Sequence, residues 1–428
     1  MKQLLILLFF PLQLAFGQQQ TSLDSCYNWT RQNYPNLKNA GIWEQISALE
    51  KKNIKTAYLP QLTLNGQATY QSDVTSLDIS LPSSLASQIS LPSMSKDQYK
   101  AYAELKQTLW DGGVSVAQSK LEDAILQNNL SQLEVELYKL KEQVAQFFFT
   151  ILAINKQVLV LDAQKKILQS KLKLIQSGIE NGAMEKASAY TIEAEIINLD
   201  QNKTQLLSGK DAATKMLSIL TGKNLTNNNE FSYTPDNVAT NQIIQRPETE
   251  LFASQRSQLE TQSKLLQKTR NPKFFGFGQA GYGRPGLNML DDNFNSYYRI
   301  GIGVSWNAFD WKKTSRQKEM LRYQSQMVSH QEATFNQNIN LLLARQKTEI
   351  EKLNELIKSD AKMVTLRINI AQISASKLEN ETITTSDYVE DVQAETIAKL
   401  NTELHRIQLN EAKEKYRIIQ GNKVDNGQ

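Results

Sequence analysis

The sequence predicts a mainly α-helical protein with a small β part, built from one unit written twice. Three observations predict it. Pro60 through Tyr70 aligns without gaps on Pro272 through Tyr282, an offset of 212, with Gly-Gln-Ala-x-Tyr identical in both copies. After each copy proline disappears, from 93 to 234 and again from 286 onward, giving two stretches of about 140 residues. An interior proline removes a hydrogen bond and clashes with the preceding turn, so its absence over such lengths suits very long helices. The third observation is a heptad seam. Leu126, Leu130, Leu133, Leu137, Leu140 and Val144 begin an alternating 4–3 spacing that runs on to Ile175, seven heptads in all, with Lys165 the one exception. Such spacing implies a left-handed coiled coil.

The elements follow in order. Residues 1–17 read as a signal peptide: Met1-Lys2-Gln3, an apolar run from Leu4 to Phe16, and small residues at Ala15 and Gly17. The first repeat, 18–245, opens with a helix over 22–57, interrupted near Asn33-Tyr34-Pro35-Asn36. A hairpin covers 61–110. In its first strand Gln61, Thr63, Asn65, Gln67 and Thr69 alternate with Leu62, Leu64, Gly66, Ala68 and Tyr70, a polar face against an apolar one. The intervening 72–98 is a Ser-rich surface loop, with a receptor or ligand role as the alternative. Helices are expected over 113–178 and 186–220, joined at Glu180-Asn181-Gly182, and then a polar linker over 221–245. At 1.5 Å per residue the longer helix would span roughly 100 Å.

The second repeat, 246–428, has the same order: a helix at 248–270, a hairpin at 273–309, and long helices at 312–378 and 386–420. Trp110-Asp111 matches Phe309-Asp310 at an offset of 199, and Glu180-Asn181 matches Glu379-Asn380 at the same 199. The long helix is therefore equally long in both copies, and the change of offset is confined to the hairpin loop.

Several function classes are excluded. Net charge is +4, or +3 once Lys2 leaves with the leader, too balanced for nucleic-acid binding. The two histidines, His330 and His405, have no metal-ligand spacing, and no Gly-rich phosphate loop follows a strand. No catalytic constellation, metal site or cofactor is expected. Cys26 is the single cysteine, so no internal disulfide is possible; it reads as a buried residue of the first helix, with a lipid anchor as the alternative. After the leader no segment reads as a membrane-spanning helix.

Strands of about ten residues with one apolar face fit a transmembrane β-barrel, and a soluble hairpin is the alternative. Four strands cannot close a barrel, because single-chain barrels start at about eight. An open edge in lipid leaves backbone groups unpaired. If these strands span a membrane, several copies must share one barrel around a rotation axis. The polar face would then line a water-filled lumen, and the helices would continue its wall into the periplasm.

Leu59-Pro60-Gln61-Leu62, the strand exit Leu109-Trp110-Asp111-Gly112-Gly113, the duplicated strand–helix–turn–helix order, and Asp387-Tyr388-Val389-Glu390-Asp391 together resemble the TolC-type outer-membrane efflux protein family. The resemblance covers essentially the whole mature chain. It implies a homotrimer in the outer membrane, a trimeric twelve-stranded β-barrel continued by a periplasmic α-helical tunnel, and a passive exit for small molecules or proteins. A periplasmic adaptor and an inner-membrane pump would be its partners.

The resemblance also places a periplasmic constriction at Asp387, Glu390 and Asp391. Asp387 and Glu390, at i and i+3, would form cation-favouring rings; a solvated acidic patch at a helix N-terminus is the alternative. Asn181, Gly182, Lys186, Asn380 and Glu381 would form the helix-turn tips, where an adaptor docks and the gate closes. The chain departs from the family where the gate is braced. Leu378 and Ile383 stand where a tyrosine and an arginine are expected, Ala189 where an aspartate is, and Glu381 replaces the turn glycine kept as Gly182. Lys186, near Asp387 by pseudo-symmetry, is the substitute brace the sequence offers. The rival readings are a structural or adhesive coiled-coil envelope protein and a periplasmic adaptor; an adaptor usually carries one such hairpin flanked by small β-domains.

Overall fold

A computed structural model of the protein describes residues 20–75, 94–234 and 244–421. The signal-peptide reading over 1–17, most of the Ser-rich loop and part of the polar linker lie outside the described residues. In chain order the elements are β1 (Thr21–Ser22), α1 (Leu23–Asn33), α2 (Asn39–Lys55), β2 (Gln61–Tyr70), β3 (Asp97–Trp110), α3 (Val114–Glu180), α4 (Lys186–Thr221), β4 (Phe231–Ser232), α5 (Pro247–Lys268), β5 (Lys273–Arg284), β6 (Asn295–Ser305), α6 (Lys313–Glu379) and α7 (Thr385–Gln420). Helices dominate. The break between α1 and α2 falls where Pro35 forces Tyr34 into extended backbone.

The duplication is visible in the lengths: α3 and α6 have 67 residues each, α4 and α7 have 36 each. The strand-to-helix junctions also repeat. Asp111 accepts hydrogen bonds from the Gly113 and Ser115 amides at 2.9 and 2.6 Å, and Asp310 accepts one from the Thr314 amide at 3.0 Å. Between cap and helix the first copy uses Gly112 and Gly113 at φ 78° and 83°. The second copy holds Trp311 and Lys312 in the same left-handed region, at φ 53° and 61°. The turn is dictated by topology, and only the first copy uses the residue that adopts it without strain.

The chain divides into two compact units, each drawing on both repeats. One comprises Met1–Asn39, Gln132–Glu250 and Glu332–Gln428; the other comprises Ala40–Ser131 and Leu251–Gln331. In the first unit β1 pairs in parallel with β4, a contact the linker gives no sequence sign of. Cys26, Val144, Phe148, Phe149, Leu217 and Phe231 form its core. Cys26 is fully buried, and burial pushes its thiol up to about 12, so it is a packing residue. Arg246 and Glu248 form a doubly hydrogen-bonded ion pair here, with their side chains 9% and 10% exposed.

By length and composition α3 contains a stretch apolar enough to cross a membrane, contrary to the sequence reading. Its Val144, Phe148, Phe149 and Ile151 are nevertheless packed inside the core. A helix buried on several sides needs apolar residues around its circumference.

The second unit holds a four-stranded antiparallel sheet in the order β2-β3-β5-β6, so β3 and β5 join the hairpins of the two repeats. Strand β6 ends at Ser305, short of the expected 309, and the Trp306 indole instead donates to the Arg270 carbonyl at 3.0 Å. The sheet is inside out for a soluble protein. Its apolar face is bare, with Leu64, Ile300 and Ile302 at 80%, 81% and 85% exposure.

Candidate functional site

The two helix turns in the first unit are built alike. Asn181 and Asn380 each donate from Nδ2 to the carbonyl four residues back, Ser177 and Ser376, at 2.9 Å. The amides of Gly182 and Glu381 donate to Ile179 and Leu378 carbonyls, both at 3.1 Å. Gly182 has φ 74° and Glu381 has φ 57°. A side chain in the left-handed region costs roughly 1–2 kcal/mol, partly offset by the lower entropy of a non-glycine unfolded chain. Glu381→Gly is therefore expected to raise stability by up to about 1 kcal/mol, read as a higher thermal midpoint. A lowered midpoint would mean that the Glu381 side chain stabilises the turn.

Beyond the second turn α7 starts with a capping box. The Asp387 amide donates to Thr384 Oγ1 at 3.2 Å, while Asp387 Oδ2 accepts from the Thr384 amide and hydroxyl at 3.0 and 2.7 Å. These bonds from Thr384 hold the Asp387 carboxyl below its ordinary range, so it is charged at neutral pH. Its stabilising contribution is present above the ordinary carboxylate range and is lost as pH falls through the lowered value. Asp387 and Glu390 are both exposed. Asp391 is half-buried and accepts a hydrogen bond from the Ser374 hydroxyl, which ties α7 to α6. Lys186 is exposed at the start of α4, and no ion pair joins it to Asp387.

The residue the sequence reading missed is Lys171. Its side chain is 7% exposed, and its ammonium donates to Glu379 Oε1 at 2.9 Å and the Ala375 carbonyl at 3.3 Å, 5.4 Å from the Tyr388 ring. It thus fastens α3 of the first repeat to α6 and α7 of the second. Glu195 on α4 adds a second tie, accepting from Gln393 at 2.6 Å. Around them Leu378, Ala189, Tyr388, Val389 and Val392 form an apolar cluster against which Ile383 packs. Leu378, Ala189 and Ile383, three of the four departures, therefore sit in an apolar cluster, while Glu381 is exposed at the turn. The signal for Lys171 was its place beside the seam residues Leu168 and Leu172. The seam's own exception, Lys165, is ion-paired to Asp200 at 2.6 Å, with Lys203–Asp162 alongside at 2.6 Å.

The chain matches no protein-family model and no curated protein by sequence. Its structure is similar to solved outer-membrane proteins. VceC of Vibrio cholerae superposes with a TM-score of 0.66 at 13% identity, over 94% of this chain and 97% of that one. The CmeC outer-membrane channel of Campylobacter jejuni gives 0.62 at 14%, over 93% and 85%. The open-state MtrE outer-membrane channel of Neisseria gonorrhoeae gives 0.61 at 11%, over 93% and 89%. What is shared at such identity is architecture over nearly the full length: the chain has the fold of these outer-membrane channel proteins.

Proposed function

We propose that this protein is the subunit of an outer-membrane exit channel, passively conducting solutes from the periplasm to the exterior as a homotrimer. The observation that carries this reading is the inside-out sheet: four strands whose apolar face is bare and whose outer edges on β2 and β6 are unpaired among the described residues. In water such a face invites aggregation, and in lipid it is the favoured solvent. Lipid does not tolerate the open edges, so further copies must supply their partners. Three copies would give twelve strands. The long helical hairpins are its periplasmic part, and the turns Asn181–Gly182 and Asn380–Glu381 with Lys186 are where a periplasmic adaptor, coupled to an inner-membrane pump, would dock. Whether the complex is a tripartite efflux or a type I secretion system is a matter of its pump. A structural or adhesive coiled-coil protein would have no use for a lipid-compatible sheet.

The test is mass and single-channel conductance of protein extracted from outer membranes in mild detergent. A conducting trimer is expected; a detergent-independent, non-conducting rod would sink the channel reading. Within that reading Asp387 and Glu390 are the cation-favouring constriction. Asp387→Ala with Glu390→Ala is expected to lower cation-over-anion permeability severalfold, and an unchanged ratio removes the acidic-ring role.

A further inference from the structure

The polar face of the sheet is not simply polar. Strand register puts Lys106 opposite Phe277, Glu104 opposite Gln279, and Gln279 opposite Arg299, all on the face that carries Gln61 and Thr63. The same register adds Phe275, Lys100 and Lys273 to that face. Charges within the four strands are thus lopsided there: four cations, Lys100, Lys106, Lys273 and Arg299, against the single carboxylate of Glu104.

That carboxylate is occupied. Glu104 accepts from the Gln279 amide, whose oxygen in turn accepts from Arg299 at 2.6 Å. The glutamine stands between acid and base, and no ion pair neutralises the four cations among the described residues. Glu50 of α2 shares a cavity of about 510 Å³ with Lys106 and Lys273 at the foot of this face, and pairs with neither. Asp111 lines the same cavity, but its oxygens are taken by Ser115, Gly113 and Tyr58.

Next to the cations lie two rings. The Phe277 ring lies over Gly301, where an added Cβ would meet it at 2.8 Å; Phe275 lies likewise over Gly303, at 2.5 Å. Glycines at these two β6 positions let the rings lie down along the sheet. Lys106 sits 4.3 Å from the Phe275 centroid and Arg299 5.7 Å from that of Phe277. Each ring therefore has a cation beside it that no carboxylate claims. A ring supplies stacking area, and the unclaimed cation supplies attraction for negative charge.

We propose that this face is the specificity wall of the conduit, selecting solutes that carry a negative charge next to an aromatic ring. The inference rests on the channel reading and names the cargo class that such a channel would favour. It concerns the sheet alone; the acidic constriction proposed on α7 would oppose such solutes rather than share in selecting them.

The test uses the full-length mature protein in planar bilayers, with potassium chloride current read against three probes: naphthalene-2-sulfonate, methanesulfonate and benzyltrimethylammonium. Naphthalene-2-sulfonate is expected to reduce the current at concentrations about tenfold below those of the other two. Arg299→Gln with Lys106→Gln should remove that advantage, and so should Phe275→Ser with Phe277→Ser, while Phe277→Leu keeps the packing and tests the ring alone. Equal reduction by all three probes, or variants that behave as wild type, overturns the inference and leaves the channel standing. A wild-type protein that carries no current overturns both.

Discussion

Replacing Leu366, Ile370 and Ile373 by glutamate is expected to leave the helices intact and abolish oligomerisation. These residues, with Met363, repeat at 3–4–3 spacing along α6 and are exposed in the single chain. A coiled-coil seam with no partner among the described residues of its own chain expects a helix from another copy. Each side chain buried there is worth about 1.5–3 kcal/mol, and each carboxylate introduced would be desolvated without a counter-ion. Three such changes, repeated in every copy, exceed what an interface can absorb. Light scattering should report the single-chain mass with circular dichroism unchanged, and conductance should disappear. An oligomer of unchanged mass would place the helical interface elsewhere.

Glu248→Ala is expected to cost about 3–5 kcal/mol, because it strands a buried guanidinium. Arg246 is bound by both Glu248 oxygens, donates to the Ile418 carbonyl at 3.1 Å, and lies 4.7 Å from the Tyr138 ring. It thus connects the start of α5 to α3 and to the end of α7. The carboxylate in the first turn of α5 also meets the helix dipole favourably. Urea unfolding monitored at 222 nm measures the loss. The double change Arg246→Met with Glu248→Leu should recover most of it, since a buried pair replaced by apolar groups of similar volume is often neutral. A single variant as stable as wild type would show that water reaches this pair.

Periodicity and register were legible because they are local. Alternation in Gln61–Tyr70 and the 4–3 seam ending at Ile175 each depend on residues within a few positions of one another, whereas the capping roles of Asp111 and Asp310 came from the structure. The equal lengths of α3 and α6 followed from two matching offsets. Lys171 was not legible as a tie, because Glu379 lies 208 residues away. Nor was the pairing of Thr21 with Phe231, where two residues of strand carry no periodic signal. The sequence reading passed over the apolar stretch of α3, whose residues are packed in protein; hydropathy does not say whether lipid or protein surrounds a helix.

By itself the sequence determined the kind of elements, their order, their duplication and the two-faced alternation of the strands. All of these are written in proline placement and in periods of 2 and 3.5. That the apolar face is exposed came from the tertiary structure. Only the tertiary structure decided which hairpins meet, and it did so by pairing β3 with β5. It also decided what holds the turns together: an apolar cluster around one buried lysine. It set two phenylalanines flat beside unpaired cations on the polar face as well. Those outcomes depend on side chains far apart in the chain being brought within a few ångströms, and periodicity along the chain carries no information about that.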